Sequence, residues 1–255
     1  MPPPPPPPPP AYGAAPPAAA GGYSPVAALQ YGWAKFTKSP ATLLVPALLV
    51  LVVLIVLDVI VQIILRGALL GTHDCTKTIL GTTIHNAQCG PGFFTTVLVG
   101  ALGGLVASFV GQLLGAGLIK SALNVVDGRE VNAGDVFGYA TKPNVVATAA
   151  IVAGATFVGT LLCYVPGLIV GFLTLFAMFF VVDKDMAPMD AIRASVSLIT
   201  SRLGETILFY VLGIIVIIVG AILCLVGLLA AVPVVLAGAA YTFRVLNNEP
   251  VTPAT

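Results

Sequence analysis

Residues 41–65 read ATLLVPALLVLVVLIVLDVIVQIIL, and this stretch decides the fold class. Its strongly polar members are Asp58 and Gln62. A helix of this length is long enough to cross the roughly 30 Å hydrocarbon core of a bilayer with some tilt. The stretch therefore predicts a transmembrane helix.

The composition of the whole chain agrees with this prediction. Of its 255 residues, 58% are hydrophobic and 8% are charged, whereas a soluble domain carries about 25% charged residues. The formal net charge is +1, and no basic patch occurs, which excludes a nucleic-acid-binding protein as well as a soluble enzyme. No phosphate-binding glycine loop and no nucleophile motif occur either. We therefore expect a polytopic membrane protein that is not an enzyme and uses no cofactor.

Length arithmetic divides the remaining apolar sequence into spans. Residues 144–182 would measure about 58 Å as one helix, twice the thickness of the hydrocarbon core. They must therefore form a hairpin, with its turn at Tyr164-Val165-Pro166-Gly167. Residues 206–243 divide in the same way near Cys224 to Gly227. The sequence thus predicts an all-α transmembrane bundle of six spans, at residues 41–65, 94–119, 144–163, 167–182, 206–223 and 228–244.

Short amphipathic stretches alternate with the apolar hairpins. The first begins at Ser24-Pro25, which is typical of a helix N-cap followed by proline. Trp33 on this stretch, and Arg193 on a second one at residues 183–202, are suited to the membrane interface. The predicted apolar faces are Val26, Leu29, Trp33 and Phe36 on the first, and Met189, Ile192, Val196, Ile199 and Leu203 on the second. We predict three units, each an interfacial helix followed by a hairpin, in a membrane domain of residues 25–246.

The second predicted span has one face of small residues. Gly100, Gly104, Ser108, Gly111 and Gly115 follow one another at steps of three or four residues. In a membrane, small residues let helix backbones approach closely where no hydrophobic effect drives them together. The pattern predicts a helix-packing face, and it leaves open a homo-oligomer or a complex with other membrane proteins.

Residues 1–24 differ in composition from the membrane domain. Pro2 to Pro10 is an unbroken proline run that forms neither helix nor sheet and favours polyproline II. One interpretation is a solvated, disordered tail, and the other is a ligand for an aromatic-lined groove on a protein partner. We find neither the charged region nor the short apolar region of a signal peptide.

Basic residues determine the expected orientation. With the N terminus inside, nine of the eleven Lys and Arg residues fall on the cytoplasmic side, and only Arg66 and Lys77 fall outside. This bias predicts a multi-pass protein of the bacterial plasma membrane with both termini, including residues 247–255, in the cytoplasm. The polar loop of residues 66–93 is then extracytoplasmic.

This orientation places all four cysteines outside or at the outer membrane face, where disulfides are permitted. Cys75 with Cys89 is the preferred pair, and closing this loop is worth about 3 kcal/mol in a chain-entropy description. Cys163 with Cys224 is a second candidate pair, which requires the two predicted turns to be adjacent. Histidines share the loop with the first pair, but their spacing matches no zinc motif, and we predict no metal site.

Asp58 is the only ionisable residue well inside a predicted span. Gln62 and Arg66 follow at i+4 and i+8, so the three residues share one helical face. An intramembrane carboxylate is costly unless it is paired and is a functional candidate by default. One interpretation is a local hydrogen bond to Gln62 near the outer interface. The other is a polar wall for a solute or proton path.

Two motifs in the C-terminal half carry a resemblance to a known family. Cys-Tyr-Val-Pro-Gly-Leu at residues 163–168 precedes an apolar span, and Val-Val-Asp-Lys at 181–184 is followed by Asp-Ala-Ile-Arg-Ala-Ser-Val-Ser-Leu at 190–198. Over residues 130–246 the chain resembles the YciC-like six-span bacterial membrane proteins, which are akin to the membrane domain attached to some glycerophosphodiester phosphodiesterases. With its proline-rich N terminus it looks like an actinobacterial proline-rich integral membrane protein. The resemblance implies a six-span fold and transfers no functional residue.

Two functions fit these features. The first is a non-enzymatic scaffold or accessory factor that recruits a cytoplasmic protein through Pro2–Pro10. The second is a permease, or a protein that handles lipids or small solutes, with Asp58 in its pathway. The near absence of intramembrane charge favours the first function, because ion-coupled transporters generally need several such groups.

Overall fold

In a computed structural model of the chain, helices make up most of the described sequence. The structure describes residues 23–69, 73–79, 82–89, 92–131, 134–162, 164–223 and 226–253. The helices are α1 (Pro25–Lys38), α2 (Pro40–Leu69), α3 (Phe93–Val126), α4 (Asp135–Ala140), α5 (Pro143–Leu162), α6 (Tyr164–Leu173), α7 (Ala177–Lys184), α8 (Pro188–Ser201), α9 (Leu203–Ile222) and α10 (Val226–Leu246). The strands are β1 (His73–Ile79) and β2 (Thr82–Cys89).

Six stretches of helix in the described chain are long and apolar enough to cross a membrane. They are Pro40–Ile64, Leu98–Val126, Pro143–Leu161, Val165–Lys184, Leu203–Ile222 and Gly227–Leu246. The prediction of a mainly helical chain with six helices long and apolar enough to span a membrane is therefore confirmed. One element was not predicted. The polar loop after the first span contains an antiparallel hairpin, β1–β2.

The connection between the third and fourth spans lies earlier than the sequence suggested. α5 ends at Leu162 and α6 begins at Tyr164, so Pro166 and Gly167 lie in the first turn of α6. Proline is tolerated there because the first amides of a helix have no intrahelical partner. A Cβ atom added to Gly167 would lie 2.5 Å from Oγ1 of Thr160. The glycine is thus required by the close approach of the two helices.

One of two structural units comprises residues 45–120 and 133–196. Within it, α5 packs along α6 and against α7, and every residue of α7 from Ala177 to Val182 is buried. α2 contacts α3 through Val50 and Leu114. The interior of this unit therefore forms mainly around α5 and α7.

The fourth span is interrupted between α6 and α7. Ser195 of α8, which is fully buried, accepts a hydrogen bond from the Phe176 amide at 3.1 Å and donates one to the Leu173 carbonyl at 2.8 Å. Non-helical backbone at membrane depth has to be satisfied by protein groups, because lipid offers none. The fully buried residues of α8 are Ala191, Ser195 and Ile199. Of the predicted apolar face, Ile199 is therefore buried, whereas Met189 is exposed.

Replacing Ser195 with alanine is expected to lower the free energy of unfolding by about 2 kcal/mol. The Phe176 amide and the Leu173 carbonyl would lose this partner together. Ser197→Ala is the matched control, since Ser197 is an exposed serine on the same helix, and should change stability by less than about 0.5 kcal/mol. Unfolding of the purified protein by dodecyl sulfate in mixed micelles measures both effects. Equal stabilities would contradict the role assigned to Ser195.

The other unit contains α1, the last turns of α3, α9, α10 and the C-terminal residues. α1 packs against α10 and α9, which also pack against each other. A Cβ atom added to Gly32 would lie 2.2 Å from the Val234 carbonyl oxygen, and one added to Gly238 would lie 3.0 Å from the Ala28 carbonyl oxygen. The backbones of α1 and α10 are therefore in direct contact, which residues with side chains would prevent.

α1 packs through a face that differs from the predicted apolar face. Ala28, Tyr31 and Gly32 are buried, whereas Val26 and Trp33 of the predicted apolar face are exposed. An exposed apolar stripe with a tryptophan is what a helix at the membrane interface presents to lipid. The predicted apolar face is therefore available to a bilayer, and a separate face carries the packing.

Candidate functional site

A buried cluster of charged side chains surrounds Arg244, in the last turn of α10. Its Nε and Nη2 atoms donate to Oδ1 and Oδ2 of Asp127, at 3.1 and 2.9 Å, and its Nη1 atom pairs with the Glu249 carboxylate. The side chains of Arg244 and Asp127 are only 10% and 13% exposed. The planar guanidinium fits this two-pronged geometry, which makes the hydrogen bonds strong. With Arg129 lying 3.8 Å from Asp127, two positive charges compensate two negative ones.

The end of α3 positions Asp127. The Asp127 amide donates to the Leu123 carbonyl at 2.8 Å, and the Arg129 amide donates to the Asn124 carbonyl at 2.7 Å. Between them, Gly128 has a φ of 72°, the left-handed conformation that ends many helices. The chain therefore leaves α3 through a tight, fully bonded turn that holds the carboxylate at Arg244.

Residues 247–253, here called the C-terminal strap, fold back onto the end of α3. The Thr252 amide and hydroxyl both donate to the Val126 carbonyl, at 2.9 and 2.7 Å. Lys35 donates from Nζ to the Thr252 hydroxyl at 3.0 Å, and the Tyr31 hydroxyl donates to the Thr252 carbonyl at 2.9 Å. One threonine thus joins α1, α3 and the strap.

α1 is also fixed just before its start. The Thr242 hydroxyl donates to the Gly238 carbonyl at 2.8 Å, so in its 2.7 Å contact with Tyr23 the tyrosine hydroxyl is the donor. Burial raises the pKa of Tyr31 to about 12, and the charge of Asp127 acts in the same direction. Burial also raises the pKa of Tyr23. Both phenols therefore remain protonated donors at physiological pH.

This cluster is suited to holding chain segments together. Its guanidinium is bound by two carboxylates, and its hydroxyl groups bond to backbone carbonyls or to each other. The described residues contain no group of three or more His, Cys, Asp or Glu residues that could hold a metal ion. Beside this cluster, the hydrogen bond between Tyr23 and Thr242 fixes the point where residues 1–22 join the membrane domain.

A groove of about 430 Å³ lies between α3 and α5. Small or hydroxyl residues line much of it: Gly100, Gly104 and Ser108 on α3, and Ala153, Thr156 and Thr160 on α5. Added Cβ atoms on the four predicted packing glycines (Gly100, Gly104, Gly111 and Gly115) would meet no heavy atom within 4 Å. Within the described chain this face therefore borders open space, and its packing role stays a prediction.

Asp58 lies exposed on α2, and Gln62 is partly buried. None of the residues that the structure describes gives the Asp58 carboxylate a hydrogen bond or an ion pair, so the predicted bond to Gln62 is not formed there. The side chain of Arg66 lies outside the described part of the chain. Asp58 also does not line the groove between α3 and α5.

The predicted cysteine pairs stay predictions. In the hairpin, Cys75 lies opposite Ala87 and Cys89 lies opposite His73, with an irregularity in the register after Cys75. The side chains of both cysteines lie outside the described part of the chain, as do Cys163, Cys224 and the run Pro2–Pro10. Arg193, predicted at the interface, is exposed and lies 3.7 Å from Asp190.

Arg244, Asp127 and Thr252 were not predicted as site residues from the sequence. Arg244 and Asp127 are 117 positions apart, and no short motif joins them. The signal that the sequence did offer is the placement of opposite charges at the ends of two spans, in Asp127-Gly128-Arg129 just after one and at Arg244 in the last turn of the other.

Comparison with known proteins finds mycobacterial relatives. The chain is 31% identical over 236 residues to the uncharacterized protein Rv2560 of Mycobacterium tuberculosis, a match that covers 91% of the chain and 71% of the relative. The uncharacterized protein Mb2590 of Mycobacterium bovis matches to the same extent. No protein-family model and no solved structure matches the chain.

Proposed function

The chain belongs to the same family as the mycobacterial protein Rv2560, and we propose that it is a non-enzymatic membrane scaffold or accessory factor. In this proposal the disordered tail ends before Tyr23, which is bonded to Thr242, and Pro2–Pro10 binds a cytoplasmic protein through an aromatic-lined groove on that partner. The membrane domain supplies the anchor. Because the sequence resembles the YciC-like proteins, we also propose that the chain has their six-span membrane fold.

The anchoring of Tyr23 and α1 carries this proposal. The hydrogen bond from Tyr23 to Thr242 and the backbone contact at Gly32 fix the start of the membrane domain on α10. Thirteen residues lead from Pro10 to Tyr23 and can extend over at most about 45 Å. A partner bound by the proline run would therefore be held close to the membrane surface, which is what a recruiting scaffold requires.

The proposal includes a location and an orientation. We propose a bacterial plasma membrane with both termini in the cytoplasm, supported by the positive-inside bias of the basic residues. The observed order of elements supports three units of the predicted kind: α1 before α2 and α3, α4 before α5 and α6–α7, and α8 before α9 and α10. The exposed apolar stripe of α1 supports an interfacial position for the first of these helices.

Deleting residues 1–22, which leaves the Tyr23 anchor in place, is expected to reduce partner recovery at least tenfold. The matched control replaces Pro2–Pro10 with nine Gly and Ser residues, which keeps the length and removes the polyproline conformation. Both variants should lose the same proteins in a mild-detergent purification followed by quantitative mass spectrometry. Identical protein partners for the full chain and both variants would exclude recruitment through the proline run.

The chain has a second candidate function, as a permease or as a protein that handles lipids or small solutes through Asp58. One observation favours it. The interruption between α6 and α7 resembles the discontinuous helices that form binding sites in many transporters. Growth or membrane phenotypes of Asp58→Asn and of the tail deletion separate the two proposals. A phenotype of the deletion alone supports the scaffold, and a phenotype of Asp58→Asn alone supports the pathway.

A further inference from the structure

α2 is the least buried of the six spans. Only 17% of the residues in its most apolar stretch are buried, compared with 56% in the corresponding stretch of the last span. Its exposed apolar residues are Val45, Leu48, Val52, Ile55, Val56, Val59, Ile60, Ile63 and Ile64. Lipid can cover such residues at no cost, so the apolar surface alone identifies no partner.

Asp58 and Gln62 are the exception on this surface. Asp58 lies six residues before the end of the span at Ile64, among exposed apolar neighbours, and its carboxylate is not bonded within the described chain. Lipid chains cannot solvate a carboxylate, which in membrane helices faces other protein groups and is paired. The carboxylate therefore points to a protein surface that covers it and offers hydrogen-bond donors.

We propose that α2 packs against α2 of a second copy in a parallel, two-fold symmetric dimer, in which the Gln62 amide of each copy donates to the Asp58 carboxylate of the other. Asp58 and Gln62 are four residues apart and so lie on the same side of the helix. In a two-fold interface each contact occurs twice with the roles exchanged. Each copy thus supplies both the acceptor and the donor, and no third molecule is needed.

The second copy fits better than a different protein for two reasons. Copies inserted in the same membrane share one orientation, so Gln62 of one copy lies one helical turn, about 6 Å, beyond Asp58 of the other, and its long side chain tilts back toward the N terminus. Hydrogen bonds between such polar side chains are a recognised source of helix association in lipid. The dimer goes beyond the scaffold function and does not depend on it, since deletion of residues 1–22 leaves α2 unchanged.

Site-specific photocrosslinking of the purified full chain in lipid vesicles tests the dimer. A benzophenone amino acid at Ile55, an exposed residue one turn before Asp58 on the side of the helix that carries Asp58 and Gln62, is expected to give a covalent dimer. The matched control carries the same group at Ile215, a similarly exposed isoleucine of α9, and should give at least tenfold less. Equal yields at both positions, or no dimer at Ile55 at several protein-to-lipid ratios, would overturn the proposal.

Substitutions then test the polar pair. Asp58→Leu and Gln62→Leu each remove two symmetry-related hydrogen bonds, and we expect each to weaken dimerisation roughly tenfold. Asp58→Asn keeps an acceptor oxygen and should retain most of the dimer. Because Asp58 lies on the surface of α2, folding should survive, and the thermal transition of each variant verifies this. Unchanged dimerisation of the Asp58→Leu variant would exclude the pair from the interface.

Discussion

Replacing Arg244 with methionine is expected to lower the free energy of unfolding by about 3–5 kcal/mol. The substitution removes the guanidinium and leaves the carboxylates of Asp127 and Glu249 close together with little access to water. Glu249 would then lose its positive partner, and Asp127 would keep only the more exposed Arg129, 3.8 Å away. Dodecyl sulfate titration, followed by the fluorescence of Trp33, the only tryptophan of the chain, measures the loss.

Arg193→Met is the matched control for this prediction. The Arg193 side chain is 76% exposed and lies 3.7 Å from Asp190, and such surface pairs contribute less than about 1 kcal/mol. Adding Asp127→Asn to Arg244→Met should recover part of the lost stability, because it removes one of the two neighbouring carboxylates that Arg244 no longer neutralises. Equal losses for Arg244→Met and Arg193→Met would show that the buried cluster does not hold the C-terminal strap.

The spans were predictable because membrane thickness fixes their length. Residues 144–182 are too long for one crossing, and the structure indeed places α5 and α6–α7 there. The length rule says less about where a helix ends. α3 continues to Val126, past the predicted end at residue 119, because Leu123 and Val126 are buried and bind the segment to its neighbours.

The interruption of the fourth span could not be predicted from its own residues. Thr174, Leu175 and Phe176 include neither glycine nor proline, the usual signals of a broken helix. The Thr174 hydroxyl donates back to the Val170 carbonyl at 2.8 Å, an interaction that often bends a helix but destabilises it only slightly. The partner that makes the interruption tolerable is Ser195, nineteen positions beyond Phe176, so the feature depends on tertiary packing.

The sequence predicted the helix α1 but not the face through which it packs. Val26, Leu29, Trp33 and Phe36 do form an apolar stripe, which explains the predicted helix. Ala28 and Gly32, four residues apart, also have the spacing of small residues at membrane helix contacts. The same spacing predicted a packing face on α3, where the glycines border open space, whereas on α1 it marks a close contact that was not predicted.

Replacing Gly32 with alanine is expected to destabilise the protein by about 3 kcal/mol. The new Cβ atom would lie 2.2 Å from the Val234 carbonyl oxygen and 3.1 Å from the Gly238 nitrogen. Both are backbone atoms of α10, so no side-chain rotation relieves the overlap, and α1 has to move away from α10. The hydrogen bonds of Tyr23 and Tyr31 depend on that position, and we expect the emission of Trp33, the next residue, to change as well.

The same substitution at a glycine with free space separates this steric effect from helix propensity. Gly111→Ala adds a methyl group that meets no heavy atom within 4 Å, and alanine in a helix is favoured over glycine by about 0.5–1 kcal/mol. The two variants should therefore differ in unfolding free energy by about 3–4 kcal/mol, with opposite signs relative to the unmodified chain. If Gly32→Ala were as stable as Gly111→Ala, α1 would not be held against α10 by backbone contact. The anchor proposed for the proline-rich tail would then lose its physical basis.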